Sequence, residues 1–279
     1  MPEFQEIDGA HCSPEMGGVD VATDSQDITV HAVSFGHRGG PAFYASLPGD
    51  TGKGCRTKRA ADKNRLASVL VGHVAAMENP PWQCRHWCDG AAPPIHVTHS
   101  PLGRPELLVE AARGPAISFS EGGGKVWAAL CGDASDIGID AASADEFRGE
   151  YPLHRVFHDQ ELHHVLRLTG GDVAKASALL WSIKEAVVKA LGCAFHLVAP
   201  LQVNVYPSAG GDWRGYIFPV CISRKTFLRS PPGASRSIWV RSYPLEKMWL
   251  SIALLNRQSR RGDGGNFHTN TPRRQNVDL

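Results

Sequence analysis

Neither sign of charge predominates in this chain: 29 Lys and Arg stand against 28 Asp and Glu in 279 residues. That balance leaves no overall basic footprint for nucleic acid. No run approaches eighteen apolar residues, so no stretch reads as a membrane span. The seven cysteines are odd in number and irregularly placed, which argues against a disulfide framework and for a reducing compartment. Residues 1–27 lack the basic and apolar segments of a signal peptide. These absences predict a soluble, cytoplasmic chain with no membrane and no nucleic-acid partner, long enough to bury a real core.

Two stretches are empty of regular pattern. Residues 1–27 and 257–279 are polar and are expected to be disordered tails. Gly36 to Gly54 is rich in Gly and Pro and reads as loop; Gly52-Lys53-Gly54 lacks the spacing of a phosphate loop. Cys84, His86 and Cys88 offer three metal-ligand types within five residues, but no fourth follows at zinc-site spacing.

Elsewhere pattern is present. Ile28–Val33 alternates as a strand, and a helix begins near Lys58 with Leu66, Val69, Leu70 and Val74 at near-helical spacing. Ala116–Glu121 and Lys125–Leu130 read as a hairpin across Gly122-Gly123-Gly124. Asp159 is a candidate helix cap. Leu201–Tyr206, Ser237–Arg241 and Trp249–Leu255 read as strands. Leu180, Ile183, Val187, Ala190 and Leu191 give one helical stripe, ending at Gly192. Glu185 and Lys189 lie four apart on roughly the opposite face, with Lys184 at the stripe's edge.

Two motifs turn this helix into a candidate for chemistry. Trp181-Ser182-x-Lys184-Glu185-Ala186-x-x-Lys189 follows Gly138-Ile139-Asp140 at about forty residues. Together they resemble the 4'-phosphopantetheinyl transferase superfamily, specifically its surfactin-type members. More loosely, the resemblance runs from about Arg56 to Leu255. It implies an α+β fold of two similar halves related by a pseudo-twofold axis, residues 28–135 and 136–256, with the active site in the cleft between them and the metal site in the second half. The implied reaction moves the 4'-phosphopantetheine arm of coenzyme A onto a serine of an apo acyl or peptidyl carrier protein, with Mg²⁺, releasing adenosine 3',5'-bisphosphate. A monomer is implied. A non-catalytic member that binds coenzyme A or a carrier protein is the alternative.

The resemblance also implies roles. Asp140 and Glu185 would hold Mg²⁺, and Lys184 and Lys189 would neutralise phosphate oxygens. Glu185, or a water beside the ion, would take the serine proton. Arg65, in Asp62-x-x-Arg65, and Arg104, in Gly103-Arg104-Pro105, would hold the nucleotide end of coenzyme A, with Lys58 and Arg59 adding to the Arg65 patch. Ser118 and Ser120 would offer hydroxyls to phosphate. Two positions depart from the pattern: Phe119 replaces a histidine, and Ala142 replaces the second carboxylate of the family's D-x-E.

Overall fold

The computed structural model describes residues 28–35, 41–49, 56–77, 94–109, 112–132, 135–193, 195, 197–212, 214–223 and 238–255. The two expected tails, the Gly52-Lys53-Gly54 stretch and the Cys84–Cys88 cluster lie outside these residues.

The first sheet orders its antiparallel strands β1 (Val30–Val33), β2 (Ala42–Pro48), β7 (Lys125–Cys131) and β6 (Ile117–Gly122). Helix α1 (Arg56–Ala75) covers one face of it. Leu66, Leu70 and Val74, one helical turn apart, bury against Phe43, Ala45, Val126, Ala128 and Leu130. The expected loop from Gly36 to Gly54 therefore contains a central strand. Within β2 the residues alternate between buried and half-buried; the Gly and Pro that suggested a loop flank the strand and mark its ends. A hairpin-based sheet of β3 (Ile95–His99), β4 (Pro105–Val109) and β5 (Ala112–Arg113) adds Leu107 and Val109 to the same core.

The second sheet orders β10 (Gly210–Asp212), β11 (Gly215–Ile222), β12 (Ile238–Leu245), β13 (Met248–Leu255) and β8 (Asp136–Ser143), with β9 (Val203–Val205) also on β11. Its outer face is covered by α2 (Asp159–Leu168) and α3 (Val173–Ala190). Strand β11 was not foreseen: Pro219 interrupts its apolar run, yet the strand pairs with β12. Helix α2 is capped by His158 rather than Asp159, with the His158 N–H donating to Glu161 Oε2 at 2.8 Å. Asp159 is the first helical residue.

A third apolar layer lies between the sheets. Val33, Ala42, Trp127 and Ala129 of the first meet Ile137, Ile139, Leu250 and Ile252 of the second. Strands β6 and β8 also meet side by side. The N–H groups of Ile139 and Ala141 donate to Ser118 Oγ and Ser120 Oγ, each at 3.2 Å. Both residue numbers rise together, so the two strands run in the same direction along this seam. The result is a mixed α+β fold with one long helix on the outer side of each main sheet.

Candidate functional site

The site is built where α3 crosses β8. Asp172 caps α3 by accepting the Lys175 N–H at 3.0 Å, and Gly192 ends it with φ +73°, a left-handed conformation suited to glycine. Helix α3 is not the half-solvated helix its stripe suggested. Most of its residues are buried, because the sheet, α2 and the loop before β9 surround it.

Gly138 sets how closely α3 approaches. A Cβ at this position would stand 1.9 Å from the Ala186 carbonyl oxygen and 2.6 Å from the Ala190 nitrogen. Only glycine permits that approach. Side chains alternate along a strand, so Asp140 shares the Gly138 face and is turned toward the helix. Ala142 follows on the same face and is buried in the apolar cluster beneath α3. Its position supplies packing and no third carboxylate.

Asp140 is 7% exposed and heavily engaged. Its Oδ1 accepts from Lys189 Nζ at 2.7 Å and from Ser120 Oγ at 2.9 Å. Lys189 Nζ also donates to the Ile139 carbonyl at 3.1 Å and to Ser120 Oγ at 3.4 Å. These three contacts engage all three ammonium donors, and the lysine side chain keeps about a quarter of its surface in solvent (28%). Glu185, one helical turn before Lys189, completes the cluster. Burial, and then the negative charge of Asp140, raise its carboxyl pKa above the ordinary value, with Lys189 pulling it back down. Asp140, Glu185, Lys189 and Ser120 are thus brought together from three elements.

The other expected residues go elsewhere. Lys184 is fully buried and faces away from this cluster. Its ammonium donates to Glu161 Oε2 at 2.8 Å and to the Pro200 carbonyl at 3.0 Å, and lies 5.7 Å from the Phe157 ring centroid. Burial pushes its pKa down, with Glu161 acting in the opposite sense. Glu161 also accepts the Val205 N–H at 2.7 Å, so one carboxylate ties α2, α3 and β9 together. Glu161 carried no expected role in the sequence.

Ser118 is buried, and its hydroxyl oxygen accepts the Ile139 N–H. Arg65 is exposed on the side of α1 opposite Leu66, Leu70 and Val74. Arg59 and Lys63 instead reach β6, at 3.6 and 3.5 Å from the Glu121 carboxylate, with Lys63 also 5.9 Å from the Phe119 ring centroid. Lys63 was not singled out in the sequence, though it lies one turn after Arg59.

Arg104 pairs through Nη2 with Asp136, at the start of β8. The Ser100–Gly103 turn presents it, with Gly103 at φ +80° and the Arg104 N–H donating to Ser100 Oγ. It borders a pocket of about 110 Å³ with Glu106, Arg113, Ser135 and Asp136. Arg113 is a second cation here that no sequence motif indicated.

Two carboxylates on one side of a helix–strand crossing form a donor set of hard oxygens. Burial is the first cause of the raised Glu185 pKa and the Asp140 charge the second, so the two carboxylates are close enough to repel each other. A divalent cation would relieve that repulsion, and Mg²⁺, which keeps several waters and takes one or two carboxylates, fits the set. Among the described residues no group of three or more His, Cys, Asp and Glu is placed to hold a metal, so the protein would contribute these two.

The chain is thus a mixed α+β protein whose α3–β8 crossing gathers two carboxylates and a partly exposed lysine. Asp140, Glu185 and Lys189 fall inside residues 136–226, which match the family model of the 4'-phosphopantetheinyl transferase superfamily, while Ser120 lies before that segment. The match spans about a third of the chain and contains β8, α2, α3, β9, β10 and β11. No curated protein matches the chain. Among the described residues, no helix is long and apolar enough to cross a membrane.

Proposed function

We propose that this chain is a holo-[acyl-carrier-protein] synthase of the surfactin type. It transfers the 4'-phosphopantetheine arm of coenzyme A to a serine of an apo acyl or peptidyl carrier protein and releases adenosine 3',5'-bisphosphate. The observation that carries this reading is the meeting of Asp140, Glu185 and Lys189 at the β8–α3 crossing, within the segment that matches the superfamily. The two helix-backed sheets are read as two similar halves with the active site at the seam between them.

Asp140 and Glu185 would hold Mg²⁺. When bound, the ion supplies positive charge to the pyrophosphate. Lys189, already placed at Asp140 Oδ1 and partly exposed, holds its ammonium where phosphate oxygens gain charge as the leaving group departs. Ser120 orients Asp140 by donating to the same oxygen. Glu185, or a water beside the ion, would take the hydroxyl proton from the incoming serine. The serine oxygen then bonds to the phosphorus that carries the pantetheine arm, and the pyrophosphate P–O bond breaks. Arg104 and Arg113, lining one pocket, are assigned to the nucleotide end of coenzyme A. Lys184 is assigned to the fold, since its ammonium is committed to Glu161.

The test is mass spectrometry of an apo carrier protein incubated with coenzyme A, Mg²⁺ and this protein. Wild type is expected to add the pantetheine arm. Glu185→Gln and Asp140→Asn are each expected to abolish that gain. Near wild-type turnover in either variant would overturn the assignment.

A further inference from the structure

The sheet face that α3 covers carries a row of polar residues across three strands. Ser242 of β12 lies opposite Ser251 of β13, and Ser251 lies opposite Asp140 of β8. Opposed residues of an antiparallel pair project to the same side, so all three point toward α3. From the helix, Ser182 meets this row. Its Oγ lies 2.7 Å from Ser251 Oγ, which lies 2.8 Å from Ser242 Oγ.

Each hydroxyl has one proton to give, and that fixes the direction of the chain. Ser182 donates to the Leu179 carbonyl at 3.0 Å, so Ser251 donates to Ser182, and Ser242 to Ser251. All three serines have 0% exposure. Burying a hydroxyl costs free energy that hydrogen bonding only offsets, and a mid-helix serine bonded to its own preceding turn gains no helix stability. Alanine would pack this interface with less to satisfy. What the serines add is direction.

Ser182 lies three residues before Glu185, and Ser251 is the cross-strand neighbour of Asp140. A second polar tie, from Lys189 to Asp140, lies seven residues further along α3, about 10 Å of helix. Glu185 is bracketed between the two. We infer that the Ser182–Ser251–Ser242 chain is a positioning device that fixes the register of α3 over β8 and thereby holds Glu185 opposite Asp140. None of the three serines touches substrate or ion. This inference rests on the reading of Asp140 and Glu185 as the cation site.

The experiment measures Mn²⁺ binding by electron paramagnetic resonance, with coenzyme A present, on the full chain. Wild type is expected to bind. Ser251→Ala breaks the chain in the middle and is expected to weaken Mn²⁺ binding by about tenfold, the low end of the effect of supporting residues at metal sites. Ser242→Ala removes only the last donor, leaves Ser182 bonded to Ser251, and is expected to weaken Mn²⁺ binding less than Ser251→Ala does. The triple variant Ser182→Ala/Ser242→Ala/Ser251→Ala leaves no hydroxyl unpaired, so its melting temperature should return toward the wild-type value while its Mn²⁺ binding stays weak. That separation of stability from metal affinity is what a merely structural role would not give. Wild-type Mn²⁺ affinity in Ser251→Ala or the triple variant overturns the inference. A wild-type protein that binds no Mn²⁺ overturns the cation-site reading itself.

Discussion

Replacing Gly138 by alanine adds one methyl group where α3 crosses β8. The new Cβ would lie 1.9 Å from the Ala186 carbonyl oxygen, whereas ordinary contact begins near 3.4 Å. The obstacle is backbone, so no side-chain rotation relieves it. The helix has to retreat by about the difference, roughly 1.5 Å. Retreat loosens Leu179, Ile183 and Val187, all fully buried in the core beneath. Overpacking of this kind costs about 1–3 kcal/mol, and a clash against backbone belongs at the upper end. At roughly 2–4 °C per kcal/mol for a domain of this size, melting should fall by about 6–12 °C. The same retreat draws Lys189 Nζ from 2.7 Å toward 4 Å from Asp140, beyond hydrogen-bond reach, so transfer to the carrier protein should fall more than stability explains. Thermal melts followed by circular dichroism and the mass-spectrometric transfer assay read the two effects. Gly72→Ala is the control: it lies in α1 with nothing within 4 Å of the added Cβ and should stabilise by up to about 1 kcal/mol. A Gly138→Ala protein that melts within about 2 °C of wild type and transfers at full rate would refute the close-packing argument.

Two further outcomes follow from the buried charges. Lys184→Met strands the Glu161 carboxylate with its backbone donors alone, and should cost about 3–5 kcal/mol in chemical denaturation, with Lys184→Met/Glu161→Gln recovering part of it. Because Lys184 is turned from the ligand cluster, the KM for coenzyme A should not change; a large rise would restore it to the phosphate site. Glu185→Gln should gain stability while losing activity. The carboxyl of Glu185 titrates above its ordinary 4.5 in the folded chain, through burial first and Asp140 second, so the folded state holds more protons than the unfolded state in that window. Wild-type stability is therefore lost as pH rises from 4.5 through the folded value, a loss the glutamine cannot share. Denaturant midpoints at about pH 4 and about pH 8 should show the gain only at the higher pH. An equal gain at both would show that ionisation is not its cause.

Local pattern determined a good part of this protein. The stripe from Leu180 to Leu191 and the stop at Gly192 identified the latter half of α3, and Gly123 and Gly124 turn the expected hairpin at φ +60° and +69°. The run around Asp140 forms β8, with Ile137 and Ile139 as its β-branched residues. These features depend on neighbours within a few residues, which is what periodicity and turn chemistry record. Strand β2 was hidden because its ends, rather than its interior, carry the Gly and Pro.

The contents of the site were decided by tertiary structure. Lys184 and Lys189 sit on one helix and carry the same charge, yet one is sealed against Glu161, 23 residues upstream, and the other reaches Asp140, 49 residues upstream. The hydroxyl of Ser182 finds its partner 69 residues away. Helical spacing tells which side chains share a face, but burial depends on what the rest of the chain lays against that face. That is settled only when the sheet closes beneath α3 and Gly138 lets the helix come down upon it.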